Sequence, residues 1–127
     1  MRIKQKWMIV SILIIGCALT SVGCGKAAPA LVAAGSCTVV GSGFTTCFDY
    51  TGSGYTSATA QTACAGTTSG SNVGTYSAAA CTVTSRVGSC TLYSGQATEQ
   101  IVRYFGGYIN STAATSCSGF AGTYTSG

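Results

Sequence analysis

Cys47-Phe48-Asp49-Tyr50-Thr51-Gly52 has an echo in Cys90-Thr91-Leu92-Tyr93-Ser94-Gly95, and the two stretches share the pattern C-x-x-Y-[ST]-G. The chain beyond them keeps step. Tyr55, Ala63-Cys64-Ala65-Gly66 and Gly74-Thr75-Tyr76-Ser77 follow the first copy. Tyr108, Ser116-Cys117-Ser118-Gly119 and Gly122-Thr123-Tyr124-Thr125 follow the second. Each copy also has an upstream cysteine, Cys37 or Cys81. A bias toward Ser, Thr, Gly and Ala can imitate fragments of such a pattern, but not cysteines and tyrosines in matched order. The sequence therefore reads as two tandem units, 37–80 and 81–127, forming one folded domain.

Both units break into similar elements. Phe44 to Tyr50 alternates, with Phe44, Phe48 and Tyr50 on one face and Thr45, Cys47 and Asp49 on the other, between Gly43 and Gly52. This is strand behaviour, and its counterpart is Val87 to Tyr93. Ser57 to Ala65 is Ala-rich, starts among Thr/Ser cap candidates and stops at Gly66, which predicts a short helix. Ser111 to Ser118, ending at Gly119, is its counterpart. The Gly-Thr-Tyr segments read as short strands. Glu99 to Phe105 fits a helix or a strand, but its β-branched and aromatic content before Gly106-Gly107 favours a strand. The predicted fold class is α+β: a small disulfide-rich domain of two tandem strand-strand-helix-strand repeats.

The N-terminus is of another kind. Arg2, Lys4 and Lys6 precede an apolar run from Trp7 to Val22, and Gly23 precedes Cys24. That is the layout of a secretory signal over residues 1–23. It resembles a bacterial lipoprotein signal, whose lipobox would be Ser21-Val22-Gly23-Cys24. Ser21 departs from the Leu preferred there. A second box, Ile14-Ile15-Gly16-Cys17, is also present, and Trp7 to Cys24 approaches the length of an uncleaved membrane anchor. Cysteine parity favours Cys24 as the lipidated residue. Of eight cysteines, a cut before Cys24 discards Cys17 and leaves an even set to pair. Residues 24–36, with Lys26 and Pro29 among small residues, read as a flexible tether.

The paired set is Cys37, Cys47, Cys64, Cys81, Cys90 and Cys117. Six cysteines allow 15 connectivities. The favoured scheme ties strand to helix within each unit, Cys47 to Cys64 and Cys90 to Cys117, and joins the units through Cys37 and Cys81. A rival joins Cys64 to Cys81, Cys37 to Cys117 and Cys47 to Cys90. Large apolar residues are sparse after the signal. Disulfides worth about 2–4 kcal/mol each therefore weigh heavily against a domain's usual net stability of about 5–15 kcal/mol. Oxidised cysteines also fit an exported chain.

The paired units, together with Arg86-Val87-Gly88-Ser89-Cys90, resemble a group of small Cys-containing bacterial lipoproteins over about Cys37 to Gly127. Their domains repeat a Cys/Tyr strand, an Ala-rich helix with one Cys, and a Gly-Thr-aromatic strand. The closing aromatic here is Tyr76 or Tyr124, where the group often has Trp. The resemblance implies a fold and an extracytoplasmic, membrane-anchored location at a bacterial outer membrane or cell surface. It implies no activity.

Chemistry is thinly represented. The formal charge of +4 rests largely on the signal, because only Lys26, Asp49, Arg86, Glu99 and Arg103 are charged from Cys24 onward. That excludes a phosphate-collecting basic patch and hence nucleic-acid binding. The chain has no His, so the commonest general base and neutral metal ligand are missing. A two-carboxylate hydrolase would require Asp49 and Glu99 to converge. No C-x-x-C pair suggests zinc or thioredoxin-like chemistry. No catalytic residue, metal or cofactor is expected. The expected partners are a membrane, through the lipid, and a protein or glycan. Tyr50, Tyr76, Tyr93 and Tyr124 sit at matched positions and are assigned to packing. An exposed patch around Tyr104, Phe105 and Tyr108 would favour a binding role over a purely structural one.

Overall fold

The computed structural model describes residues 32–127. The signal segment, Cys17, Cys24 and the tether up to residue 31 lie outside the described residues. The elements run β1 (Ser36–Val40), β2 (Thr45–Tyr50), α1 (Ser57–Gly66), β3 (Val73–Ser77), β4 (Gly88–Leu92), β5 (Gln100–Tyr104), α2 (Asn110–Gly119) and β6 (Thr123–Ser126). The fold is α+β, with one six-stranded antiparallel sheet in the order β3-β1-β2-β5-β4-β6. The ambiguous Glu99–Phe105 stretch is strand β5, hydrogen-bonded between β2 and β4. Ala34 and Gly35, just before β1, are already held to β2: Ala34 N–H donates to the Tyr50 carbonyl and Tyr50 N–H to the Gly35 carbonyl. The predicted tether therefore ends earlier than residue 36.

Both helices lie on one face of the sheet. Phe48 and Val102 stand directly opposite each other in the β2–β5 ladder, so their side chains share a face. Phe48 packs in the cluster that holds Ala60 and Cys64 of α1, and Val102 in the cluster that holds Ala113 and Cys117 of α2. Each helix buries a small pair at i, i+4, Ala60 with Cys64 and Ala113 with Cys117. Small side chains bring the helices close to the sheet, and glycine is needed beneath them. A Cβ at Gly122 would collide with Cys90 Sγ, and one at Gly74 would come within 2.7 Å of the Cys64 carbonyl oxygen.

The helix starts differ in kind. Thr56 caps α1 in a full capping box: its Oγ1 accepts from Thr59 N–H (3.2 Å), and its own N–H donates to Thr59 Oγ1 (2.8 Å). At α2 the cap residue is Ile109, which has no side-chain acceptor. Only the backbone half of the box exists, Ile109 N–H donating to Thr112 Oγ1 (3.0 Å).

The cysteine pairing keeps the expected Cys90–Cys117 bridge and corrects the other two, Cys47–Cys64 and Cys37–Cys81. The bridges are Cys37–Cys64, Cys47–Cys81 and Cys90–Cys117. Strand alternation explains the difference. Phe48 occupies the helix-facing position on β2, so its neighbour Cys47 points to the opposite face and cannot reach Cys64 of α1. Cys37, directly across from Phe48 on β1, faces the helix and takes that role. Cys47 instead meets Cys81, in the connection between β3 and β4. Cys37–Cys64 and Cys90–Cys117 each span 27 residues and join the same kinds of element.

This also shifts the internal alignment by one strand. The C-x-x-Y-[ST]-G match set Cys47 beside Cys90 and Tyr50 beside Tyr93. In the sheet, Cys37 lies between Phe48 and Tyr76 as Cys90 lies between Val102 and Tyr124. Tyr50 then corresponds to Tyr104, and both are buried. Tyr93 is half-exposed at a turn, with φ of 52°.

Candidate functional site

Strand alternation divides the three residues expected to form a recognition patch. Tyr104 faces the helices and is 1% exposed. Phe105, the next residue, turns to the other face. Tyr108 is partly buried and meets Tyr104 edge-on, with ring centroids 4.8 Å apart. They do not form the continuous exposed patch that would favour a binding role there, and each belongs to a different depth or face of the domain.

The face without helices carries the described acidic residues' main interactions. Asp49, 1% exposed, accepts from Arg103 Nε (2.8 Å) and pairs with Arg103 Nη2 (2.7 Å), while its Oδ1 accepts from Cys81 N–H (2.6 Å). Glu99 accepts from Gly95 N–H (2.7 Å) and from Thr51 Oγ1 (3.0 Å). Each carboxylate is thus committed to a separate structural contact, and neither lines either cleft described below. A groove of about 400 Å³ crosses this face, bordered by Thr38, Thr45, Cys47, Cys81, Thr82 and Phe105.

The helix face holds the more specific feature, a cleft of about 300 Å³. Phe48 and Val102 form its floor, with Val39 and Thr46 beside them. Phe44, Tyr108 and Phe120 supply aromatic walls, and Thr67, Asn72 and Ser116 supply neutral polar groups. None of these described lining side chains is charged. Phe44 and Tyr108 meet edge to face, with centroids 5.9 Å apart, so the loop after β1 and the loop before α2 brace each other at the rim. A mostly apolar concavity with a few fixed polar groups is the usual form of a small-ligand site, and this volume is at the lower end of the common range.

Tyr104 also contributes to this cleft, and its phenol oxygen is buried with no hydrogen-bond partner among the described residues. Ser116, which lines the same cleft, stands beside it without meeting it in hydrogen-bond geometry. Burial pushes the Tyr104 phenol above its ordinary value; the Ser116 hydroxyl opposes this in part and Tyr124 adds to the rise. Tyr108 is also pushed up, by burial first and by Tyr104 second. Both phenols are therefore neutral donors at physiological pH. An unpaired buried hydroxyl is costly, about 1–3 kcal/mol, and it makes the cleft a site that can offer one directed hydrogen bond. Among the described lining residues no hydroxyl stands beside a carboxylate, amine or imidazole.

Tyr104 and Tyr108 are legible in sequence as aromatics, but the rest of the site was missed. Phe44 and Phe48 had a signal in their alternation, which was read only as a strand face. Phe120 follows the helix-ending Gly119 and is 63% exposed, yet nothing local marks it as a cleft wall. Comparison with protein-family models, with curated proteins and with solved structures finds no match to this chain.

Proposed function

We propose that this chain is an exported, lipid-anchored envelope module, non-catalytic, that binds a ligand in the helix-face cleft, and that its two β-β-α-β halves are tandem repeats. The observation that carries the binding role is the buried Tyr104 phenol without a partner, set against an aromatic, uncharged cleft. Three disulfides fit an oxidising compartment outside the cytoplasm. The basic-apolar start of the sequence and Gly23-Cys24 fit lipidation at Cys24, with the domain held at an outer membrane or cell surface. One acyl chain binds a membrane only marginally, so stable anchoring calls for more than one.

Two measurements test this. Fatty-acid labelling and intact mass in a lipoprotein-processing bacterial host should show lipid on the wild type and none on Cys24→Ala; a labelled Cys24→Ala protein would refute lipidation at that residue. Backbone amide shifts on adding small-molecule fragments should move residues of the cleft, such as Thr46, Ser116 and Phe120. A glycan-binding reading rests instead on the groove of the opposite face, where Phe105 offers a ring beside the Thr38, Thr45 and Thr82 hydroxyls. Oligosaccharides that shift Thr38 and Phe105 while the cleft stays silent would select it.

A further inference from the structure

We infer that the helix-face cleft takes an uncharged, aromatic or otherwise flat apolar molecule bearing a single hydrogen-bond acceptor, which receives the Tyr104 phenol proton. The inference rests on the cleft being the binding site and adds the chemistry of its occupant. Three features of the lining carry it. First, the described lining side chains include no Lys, Arg, Asp or Glu, so a charged ligand would lose its hydration with no counter-charge to offset it. Second, the lining is mostly apolar: Val39, Phe44, Phe48, Val102 and Phe120 carry no polar group, and Tyr104 and Tyr108 add two more rings. A sugar, with several hydroxyls to satisfy, would leave most of them unpaired against these rings. Third, among the described lining residues the fully buried polar side-chain atom without a partner is the Tyr104 hydroxyl. A ligand acceptor placed there satisfies a buried group that is otherwise unpaired, so this hydrogen bond discriminates between ligands more than one made at the surface.

The floor also favours a flat molecule. Phe48 and Val102 face each other across the central strand pair, and the edge-on Phe44–Tyr108 and Tyr104–Tyr108 contacts leave ring faces available for offset stacking, the favoured geometry between aromatic groups.

The test uses the full chain, expressed for export and purified with its disulfides intact, and three probes of nearly equal size. Acetophenone carries the acceptor. In α-methylstyrene a CH2 replaces the carbonyl oxygen. Benzoate carries a charge. NMR titration should rank acetophenone first, α-methylstyrene weaker and benzoate weakest, with shifts at Thr46, Ser116 and Phe120. Tyr104→Phe should weaken acetophenone by about threefold to tenfold and leave α-methylstyrene unchanged. Because the hydroxyl it removes has no partner, this variant should fold as well as the wild type, which thermal denaturation checks. Cleft shifts with benzoate or α-methylstyrene binding as tightly as acetophenone, or with no effect of Tyr104→Phe, would overturn the ligand chemistry and leave the site standing. Shifts confined to the opposite face, or none with any probe, would overturn both.

Discussion

The halves Ser36–Ser77 and Gly88–Ser126 are built alike where they touch their own helix and unlike where they touch each other. In each, a disulfide spanning 27 residues pins the first strand to the helix. In each, the last strand's tyrosine, Tyr76 or Tyr124, lies where a Cβ on Gly35 or Gly88 would strike it, although Tyr76 donates to the Ala34 carbonyl (3.2 Å) and Tyr124 to Asn110 Oδ1 (2.9 Å), with the Val87 carbonyl farther off at 3.5 Å. The differences gather at the seam and at the helix starts. Cys47 bridges to Cys81 from the first half alone, and Asp49 faces Arg103, its positional equivalent when Phe48 is aligned with Val102. The shared features read as what one half needs in order to hold its helix. The unshared ones read as what joins two halves into one sheet.

The largest expected effect tests the shared bridges. Replacing Cys37 and Cys64 together by Ala, or Cys90 and Cys117 together, should cost about 3–4 kcal/mol each, because loops of equal length lose equal closure entropy. Urea denaturation should give the two variants the same midpoint. A gap of several kcal/mol between them would show that the halves are not energetically alike, whatever their geometry. Removing Cys47–Cys81, with its span of 34 residues, costs a similar amount by loop length. That variant should lose the anchoring of the β3–β4 connection on the open face while both helices stay protected in hydrogen exchange.

Next in size is the seam charge. Arg103→Leu leaves Asp49 buried with only the Cys81 N–H as partner. Breaking a fully buried pair costs about 3–5 kcal/mol; with 16% of the Arg103 side chain exposed, about 2–3 is expected. Adding Asp49→Asn keeps an acceptor for Cys81 and removes the stranded charge, so the double variant should recover most of the loss. If the two substitutions were simply additive, the pair would be incidental to the seam and the asymmetry there would carry no energy.

A smaller effect separates the helix starts. Thr56→Ala removes a real capping box and should cost about 1 kcal/mol. Ile109→Thr should do the reverse, stabilising by about 0.5–1 kcal/mol, since Ile109 is 65% exposed and little packing is lost. Helix α2 would then start as α1 does. Thermal midpoints moving in opposite directions would sharpen the comparison, and equal losses in both variants would break it.

How far the sequence carries one to this picture depends on which periodicity is being read. The α+β class, the short helices ending near Gly66 and Gly119 and the strand at Glu99–Phe105 follow from local propensity and turn chemistry, which are properties of neighbouring residues. Cys90–Cys117 is in the expected scheme, but the bridges of Cys37, Cys47, Cys64 and Cys81 do not follow, because pairing depends on which face of a strand a cysteine occupies. The alternation of Phe48 and Cys47 held that information, but the recurring C-x-x-Y-[ST]-G text pulled the alignment one strand away. The cleft was harder still. Val39, Phe48, Val102 and Phe120 come from four separate segments, and only the order β1-β2-β5 in the sheet brings them together. Tyr104 reads in sequence as a candidate recognition aromatic, and its interest lies in its burial.

At neutral pH Tyr50 and Tyr104 behave alike. Tyr50 and Tyr104 occupy equivalent places, and burial pushes both phenols up. Tyr50 reaches about 12 from an ordinary 10.0, through burial and then the neighbouring Tyr55; at Tyr104 the Ser116 hydroxyl offsets part of the rise. A raised phenol means that the folded state keeps a proton that the unfolded chain releases. The associated stability is fully present below pH 10 and drains away as pH climbs toward 12 and through it. Thermal midpoints should therefore fall across that window, with tyrosinate absorbance appearing together with unfolding. Tyr50→Phe and Tyr104→Phe should each flatten the fall, the first by more, because nothing beside Tyr50 offsets its rise. If Tyr104→Phe flattens it equally, the Ser116 hydroxyl has no influence on that phenol and the two aromatic sites are more alike than the cleft requires. If neither variant changes the slope, the buried phenols are not what limits the domain in alkali.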